Sequence, residues 1–594
     1  MIEAMLSGLL QVFAWPAFGY LLLGIGIGLV IGVIPGLGGV LGLVILLPFT
    51  FGMDPVPAFA LLLGMYSITS TSDTIASVLL GIPGTVASQA TILDGYPLAK
   101  KGQASRAFGA AYTVSAFGGV LGALIMAASL PILLPIILKF GVAEFFMLAA
   151  LGLTMVGSIS GRSVGKGLVV ALLGLFLSTV GEAALTGSLR FDFDTAYLSD
   201  RLPIIPIVLG LFGIPELMEM AVRNTSIARV SESDSPSGGM LQGIRDAVTH
   251  RWLALRCALI GTYVGIIPGL GASIVDWIAY GHAVQSAKDK SKFGTGDIRG
   301  VIAPEAANNA NRAGALIPTV AFGIPGSLGT AILLGALIIQ GLKPGPEMLT
   351  TNLDLTFSMI WDLVIANIFA AALLMVWSKQ ISKVAFLPGH LIVPGVLCFI
   401  LMGAWIASAS IEDWWLCLLM GVLGYLMKHG GWPRPPIILA IVLGELMEEN
   451  LFLSTQIYGG WSWTLDKPIV VVIEILIVIT LVYTLFDLYK KQKENRTAPQ
   501  SVSGPDEDLS EGAARNPIIS LPLSLLFFLV FCWAYGETQT FEEVETAQFP
   551  EAILIVAIPI SFITLISDIV QLKNQLVRDQ KFSQLLHDSL EKTT

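Results

Sequence analysis

Residues 17 to 34 read AFGYLLLGIGIGLVIGVI, eighteen residues without a charge, and apolar runs close to the length that crosses a bilayer recur along the chain. Backbone N–H and C=O groups in hydrocarbon must be paired inside the protein, and a helix pairs them within the run itself. Composition agrees. The 594 residues are 54% hydrophobic and 13% charged, whereas a soluble domain is about 25% charged. The chain reads as an all-α polytopic integral membrane protein whose surroundings are the lipid bilayer.

The first residues carry Glu3 and no basic cluster, and the apolar run continues past Leu29 without a small-residue cleavage pattern. The first segment is therefore expected to stay in the membrane. Cys257, Cys398, Cys417 and Cys532 are scattered without disulfide or metal-ligand spacing and read as packing residues. Basic residues gather in YKKQKENR at 489 to 496 and QLKNQLVRDQK at 571 to 581, while 537 to 548 is acidic. Under the positive-inside rule the basic connections face the cytoplasm. No basic stripe interleaved with aromatics appears, so nucleic acid is not an expected partner.

Further spans are predicted near 40–62, 107–135, 142–158, 166–182, 203–221, 310–341, 357–376, 391–409, 411–427, 434–448 and 468–488. The expected organisation is a first transmembrane repeat over 1–222 and a polar inter-repeat connection over 223–250. A second repeat with its following helices occupies 251–490. A cytoplasmic linker follows over 491–516, its PQSVSGPDED reading as disordered. A C-terminal transmembrane hairpin over 517–572, with its acidic tip outside, and a cytoplasmic tail over 573–594 complete the chain.

Two phrases interrupt the apolar runs, GVIPGLGG at 32–39 and GIIPGLGA at 265–272. Proline lacks the N–H a helix needs and glycine loosens the backbone, so each phrase predicts a helix break. At an offset of 233, Gly28, Gly32, Ile34, Pro35, Gly36, Leu37 and Gly38 align with Gly261, Gly265, Ile267, Pro268, Gly269, Leu270 and Gly271. GIPG recurs at 81–84 and 323–326, an offset of 242 that an insertion such as KDKSKFGTG explains. Each GIPG follows a polar stretch, SITSTSDT at 67–74 or EAANNANR at 305–312. Internal repetition in this order predicts two pseudo-symmetric repeats meeting at a shared site, and inverted topology is expected because transporter families of this kind often use it.

A helix restarted after a break turns unpaired N–H groups and the positive end of its dipole toward a carboxylate. The carbonyls freed by the same break suit Na⁺. The candidate substrate and ion residues are Pro35, Gly36, Gly38, Gly39, Ser72, Asp73, Thr74, Pro83, Gly84, Thr85 and Ser88 from the first half. From the second they are Pro268, Gly269, Gly271, Glu305, Asn308, Asn309, Asn311, Pro325, Gly326 and Ser327. Asp73 and Glu305 suit a coupling cation or a proton, and the asparagines offer donors and acceptors to a polar substrate. Each has a plainer reading. Gly24, Gly28, Gly32 and Gly36 lie on one helical face and serve tight packing equally well; Glu305 suits the membrane interface, Arg312 suits an anion or the interface equally, and the asparagines suit ties between helices. If the breaks hold ligands, Gly36→Val and Gly269→Val are expected to abolish transport, and Gly24→Ala, farther up the packing face, to be milder. The five histidines show no zinc spacing and no Walker loop is present, so neither metal nor ATP chemistry is indicated.

PGLGG at 35–39, GIPGTVASQATILDGYPLAKKGQA at 81–104 and APEAANNANRAGALIPTVAFGIPGSLGTAILLGALIIQGLKPGP at 303–346 resemble the TctA-type large membrane subunit of tripartite tricarboxylate transporters. The resemblance covers most of residues 15 to 490. It implies a permease of the bacterial inner membrane that takes an organic acid from a periplasmic solute-binding protein of the TctC type. Uptake would be coupled to a Na⁺ or H⁺ gradient, with no other cofactor. A small membrane subunit of the TctB type is implied too, and the C-terminal hairpin is weakly similar to half of one. Where that family commonly writes YGGS before the first GIPG, this chain has Thr71, Ser72, Asp73 and Thr74. The leading expectation is a gradient-driven permease; a passive anion channel and an intramembrane enzyme are the rivals.

Overall fold

The computed structural model describes residues 1–34, 37–159, 164–183, 186–199, 201–222, 239–268, 271–386, 389–406, 408–480, 482, 517–541 and 544–579. The expected linker at 491–516, residues 223–238 of the polar connection and residues 580–594 of the tail lie outside them. The described residues are helical almost throughout, with one two-stranded ribbon pairing Gly181–Glu182 with Leu189–Arg190. Two compact units form, one from Met1–Lys139 and Glu216–Ile406 and one from Phe140–Pro215 and Ala407–Thr594. Each unit thus draws on chain from both sides of the polar connection.

In the first unit, helix Ala17–Val33 lies along helix Pro55–Ser72, and helix Arg251–Ile266 lies along helix Arg299–Phe322. Glycine makes both pairings close. A Cβ on Gly28 would stand 2.5 Å from the carbonyl oxygen of Met65, and one on Gly265 would stand 2.5 Å from that of Asn311. Gly24 meets the Leu61 carbonyl and Gly261 the Ala307 carbonyl in the same way. Alanine at Gly24 would therefore press on a neighbouring backbone, which has nowhere to retreat in a packed interior.

Helices Pro55–Ser72 and Arg299–Phe322 are buried over nearly their whole length, and the polar stretches sit on them. A helix buried on every side is a core element of its unit. Helices Ala104–Ile137 and Leu353–Ile381 pack around them. Two expected spans are corrected. The run 40–62 divides into helix Gly38–Leu46, a 3₁₀ turn Leu47–Thr50 and the start of helix Pro55–Ser72, because Pro48, a left-handed Gly52 (φ +74°) and Pro55 stop a continuous helix. The run 310–341 divides at GIPG into helices Arg299–Phe322 and Leu328–Ile339.

The second unit contains helices Val142–Ile159, Val164–Ser178, Glu412–His429 and Pro435–Tyr458. The C-terminal pair Pro517–Thr538 and Val544–Asp579 packs on itself and against them. Lys166 Nζ and Asp568 Oδ1 lie 3.6 Å apart, each side chain 2% exposed. Ser520 and Ser524 both donate to Asp568 Oδ2, while the Lys166 ammonium donates to Ser520 and to the Gly430 carbonyl. Arg190 grips Glu448 with two hydrogen bonds of 2.6 and 3.0 Å and also donates to the Thr546 carbonyl. The hairpin is thus tied into this unit through buried charge.

Among the described residues, Ala104–Ile137, Leu353–Val384, Ile518–Thr538 and Glu545–Lys573 are long and apolar enough to cross a membrane. Ile2–Phe13 and Ala17–Val33, bent by 70°, pass the same test as a pair. Cys257 and Cys417 are buried as packing residues would be, Cys532 is half-buried and Cys398 is exposed.

Candidate functional site

The repeated phrases carry matching backbone. Helix Ala17–Val33 ends at an extended Ile34 (φ −83°, ψ 112°), and helix Arg251–Ile266 ends at an extended Ile267 (φ −83°, ψ 113°). Pro268 follows in a turn, and the next helices begin at Gly38 and Gly271. Pro35, Gly36 and Gly269 of the expected set lie outside the described residues. Gly38 has φ +59°, a conformation that glycine adopts without strain.

The two GIPG phrases match as well. Gly81 (φ 66°, ψ 22°) and Gly323 (φ 69°, ψ 17°) each close a helix in the left-handed conformation. Pro83 and Pro325 then lead into hydroxyl caps at Thr85 and Ser327. The Thr85 N–H donates to Ser88 Oγ at 3.2 Å while the Thr85 hydroxyl accepts from Ala87 N–H at 3.3 Å. Ser327 and Thr330 exchange the same pair of bonds at 2.9 and 3.3 Å. Such a reciprocal cap satisfies the first free donors of a helix. Ser88, expected as a ligand, is partly committed to it.

Asp73 stands where helix Pro55–Ser72 gives way to helix Thr74–Leu80, and it is fully buried. Its Oδ2 accepts the Thr85 hydroxyl, and its Oδ1 has no partner. Gly84 presses on it so closely that a Cβ there would fall 2.7 Å from the Asp73 Cβ. Ser72 instead donates to the Gly28 carbonyl at 3.2 Å, a helix tie. A Cβ on Gly39 would meet the Thr69 hydroxyl and lie 3.3 Å from Arg312 Nη1, so the first break touches the second half at this point.

On helix Arg299–Phe322 the polar residues are all buried. Glu305 accepts from Thr91 Oγ1 at 2.8 Å and Ser115 Oγ at 3.2 Å, so it belongs to the interior and not to the membrane surface. Asn309 Nδ2 donates to Thr71 Oγ1 at 2.7 Å and to Asn367 Oδ1 at 2.8 Å, leaving its own Oδ1 without a partner. Asn311 donates to the Gly261 carbonyl at 3.3 Å and tens the helix pair together. Asn308 has no hydrogen-bond partner at either end of its amide. Arg312, one turn beyond Asn308, holds its guanidinium carbon 3.8 Å from the centre of the Tyr66 ring. Tyr66 in turn shares a 3.3 Å hydrogen bond with Ser327, and a Cβ on Gly329 would strike its hydroxyl. Gly326 is pinned between the Gly265 carbonyl and Ala315.

The structure therefore gathers Gly39, Asp73, Gly84, Thr85, Arg312 and Ser327, with Asn308 and Asn309 on the same core helix. Thr74 is buried beside Asp73. Pro83, Pro268, Pro325 and Gly271 shape the backbone. Several polar residues of this interior are absent from the expected set. Asp276 accepts from the Ala90 and Trp277 N–H groups at 2.9 and 2.8 Å. Asn367 donates to Ser67 Oγ at 2.6 Å. A lone acid or amide in an apolar helix, five residues past a break in the case of Asp276, is the signal each carries in the sequence.

A largely helical protein with helices long and apolar enough to cross a membrane is of the membrane-protein class, and its family model is that of a transporter component, not an enzyme. Residues 18–439 match the Tripartite tricarboxylate transporter TctA family, and the chain belongs to that family. It is 31% identical over 452 residues to an "Uncharacterized 52.8 kDa protein in TAR-I ttuC' 3'region" of Agrobacterium vitis, covering 74% of this chain and 86% of that one. An "Uncharacterized protein in TAR-II ttuC' 3'region" of the same organism is 31% identical over 204 residues, 34% of this chain and 83% of its own. No solved structure matches.

Proposed function

We propose that this chain is the large membrane subunit of a secondary transporter that takes up an organic acid across the bacterial inner membrane, driven by a Na⁺ or H⁺ gradient. A periplasmic solute-binding protein of the TctC type delivers the acid, and a small membrane subunit of the TctB type completes the complex, partly replaced here by the fused C-terminal hairpin. The two halves are repeats of inverted topology, and the substrate and coupling ion sit where their breaks meet. Matching backbone at Ile34 and Ile267, and at Gly81 and Gly323, supports the repeat.

The observation that carries the reading is that the polar stretches and the helices bearing them include buried polar atoms without partners, namely Asp73 Oδ1, Thr74 Oγ1, both ends of the Asn308 amide, Asn309 Oδ1 and Arg312 Nε. An unpaired buried polar group costs roughly 1 to 3 kcal/mol, and several held together are retained because a ligand completes them. Asp73 and Glu305 take the coupling ion in this scheme, while Arg312 and the amides face the acid. The test is to identify by mass spectrometry the acid that co-purifies with the periplasmic partner, then to follow its accumulation in membrane vesicles. Uphill uptake that collapses with an ionophore supports a coupled permease; strictly downhill flux means a channel.

A further inference from the structure

We infer that Arg312 receives the carboxylate of the transported acid, and that this acid carries a single negative charge and at least one hydroxyl or amide hydrogen-bond donor. The inference rests on the reading that this site carries an organic acid, and it narrows the substrate class.

Charge arithmetic leads to it. Among the described residues of the first unit, Arg312 is the one buried cation, at 7% exposure, whereas Asp73, Asp94, Asp276, Glu305 and Asp362 are buried acids. Two of these are committed elsewhere. Asp94 accepts from Tyr280 and from the Gly296 and Asp297 N–H groups, and Asp276 caps Ala90 and Trp277. Of the other three, Asp362 lies on helix Leu353–Ile381 with neither oxygen hydrogen-bonded, and Asp73 and Glu305 lie beside the breaks. One carboxylate of an entering acid finds Arg312. With Asp73 and Glu305 taken up by the coupling ion, second and third carboxylates would be buried with no further cationic side chain among the described residues of this unit, and unpaired buried charge is strongly disfavoured.

Arg312 is built to receive an anion. Its Nε has no hydrogen-bond partner, and the Tyr66 ring supports it in place of a carboxylate. A guanidinium resting on an aromatic face keeps its in-plane N–H groups free for a two-pronged grip on a carboxylate. The ring is itself held through its hydroxyl by Ser327. Asn308, four residues earlier and so on the same helical face, presents a free donor and a free acceptor, and Asn309 adds a free acceptor. Two acceptors without donors call for a substrate with N–H or O–H groups.

The experiment uses the purified full chain in nanodiscs, with thermal stabilisation by citrate, succinate, lactate, glycerate and gluconate as the readout. At least one of the three monocarboxylates should stabilise the wild-type protein at a lower concentration than citrate or succinate. R312Q should raise its half-saturating concentration at least tenfold, and R312K, which keeps the charge and loses the fork, should fall between the two. Unliganded melting temperatures of both variants separate loss of binding from loss of fold. Preference for citrate, stabilisation by none of the monocarboxylates, or unchanged binding in a folded R312Q overturns the inference. A citrate preference accompanied by ionophore-sensitive uphill uptake would overturn the charge assignment alone, while absence of uphill uptake of the partner's own acid would overturn the transport reading beneath it.

Discussion

The Arg312 guanidinium lies 3.8 Å from the centre of the Tyr66 ring, joining the core helix of one half of the sequence to that of the other. The ring and its hydroxyl have separable roles. Tyr66→Phe keeps the aromatic face and loses the bond to Ser327, so uptake should weaken severalfold at most. Tyr66→Leu removes the face, and a desolvated cation–π contact is worth about 2 kcal/mol, or roughly thirtyfold in affinity. The half-saturating substrate concentration of the two variants in vesicles, at matched protein levels, distinguishes these roles.

Asp73 leaves one oxygen without a partner. Asp73→Asn should flatten the dependence of uptake on Na⁺ or on pH while the protein still reaches the membrane, and Glu305→Gln should do so less, because both Glu305 oxygens are already hydrogen-bonded by Thr91 and Ser115. The ion dependence of initial uptake rates reads this directly. A dependence identical to wild type in Asp73→Asn removes that residue from the ion site.

Much of this interior is legible in the sequence, and the part that is not has a physical cause. The breaks, the repeated phrases and the polar stretches announce themselves because proline, glycine and uncharged polar residues stand out in apolar runs. Pairing does not. Nothing in the string indicates that Asn311 is spent on the Gly261 carbonyl while Asn308, three residues earlier, is left free, because helical phase relative to a neighbour decides it. The run 40–62 has spanning length and composition, yet it folds as two helices since Pro48, Gly52 and Pro55 act locally whatever the hydropathy. Gly24 reads like any packing glycine, and only the Leu61 carbonyl lying against it shows that no methyl group fits.

Gly24→Ala and Gly261→Ala should accordingly lower stability, each by about 1 to 3 kcal/mol, the usual cost of overpacking. Melting temperatures of the detergent-solubilised variants should fall in both, whereas Gly26→Ala, which meets open space, should leave them unchanged.

The C-terminal hairpin is held by Lys166 and Asp568, and breaking a buried pair from one side costs roughly 3 to 5 kcal/mol. Asp568→Asn should destabilise the protein strongly, and the double variant Lys166→Met/Asp568→Leu should recover most of the loss because no lone charge remains. Deletion of residues 497–594 should likewise take Asp568 and Ser520 away from Lys166 and lower stability. Thermal denaturation of the single and double variants measures the coupling between them.

Asn308 gives the most direct measurement of all, since its amide is buried with neither end bonded. Leucine has nearly the same shape and no polar group, so Asn308→Leu should match or exceed wild type in melting temperature, because a buried unpaired amide is removed. Uptake of the acid that co-purifies with the periplasmic partner, measured in vesicles at equal amounts of inserted protein, should fall at least tenfold. Stability raised and transport lost together would mark the unpartnered amide as a group kept for the substrate. Uptake at the wild-type rate and affinity in a stable Asn308→Leu protein would contradict a binding site at this place.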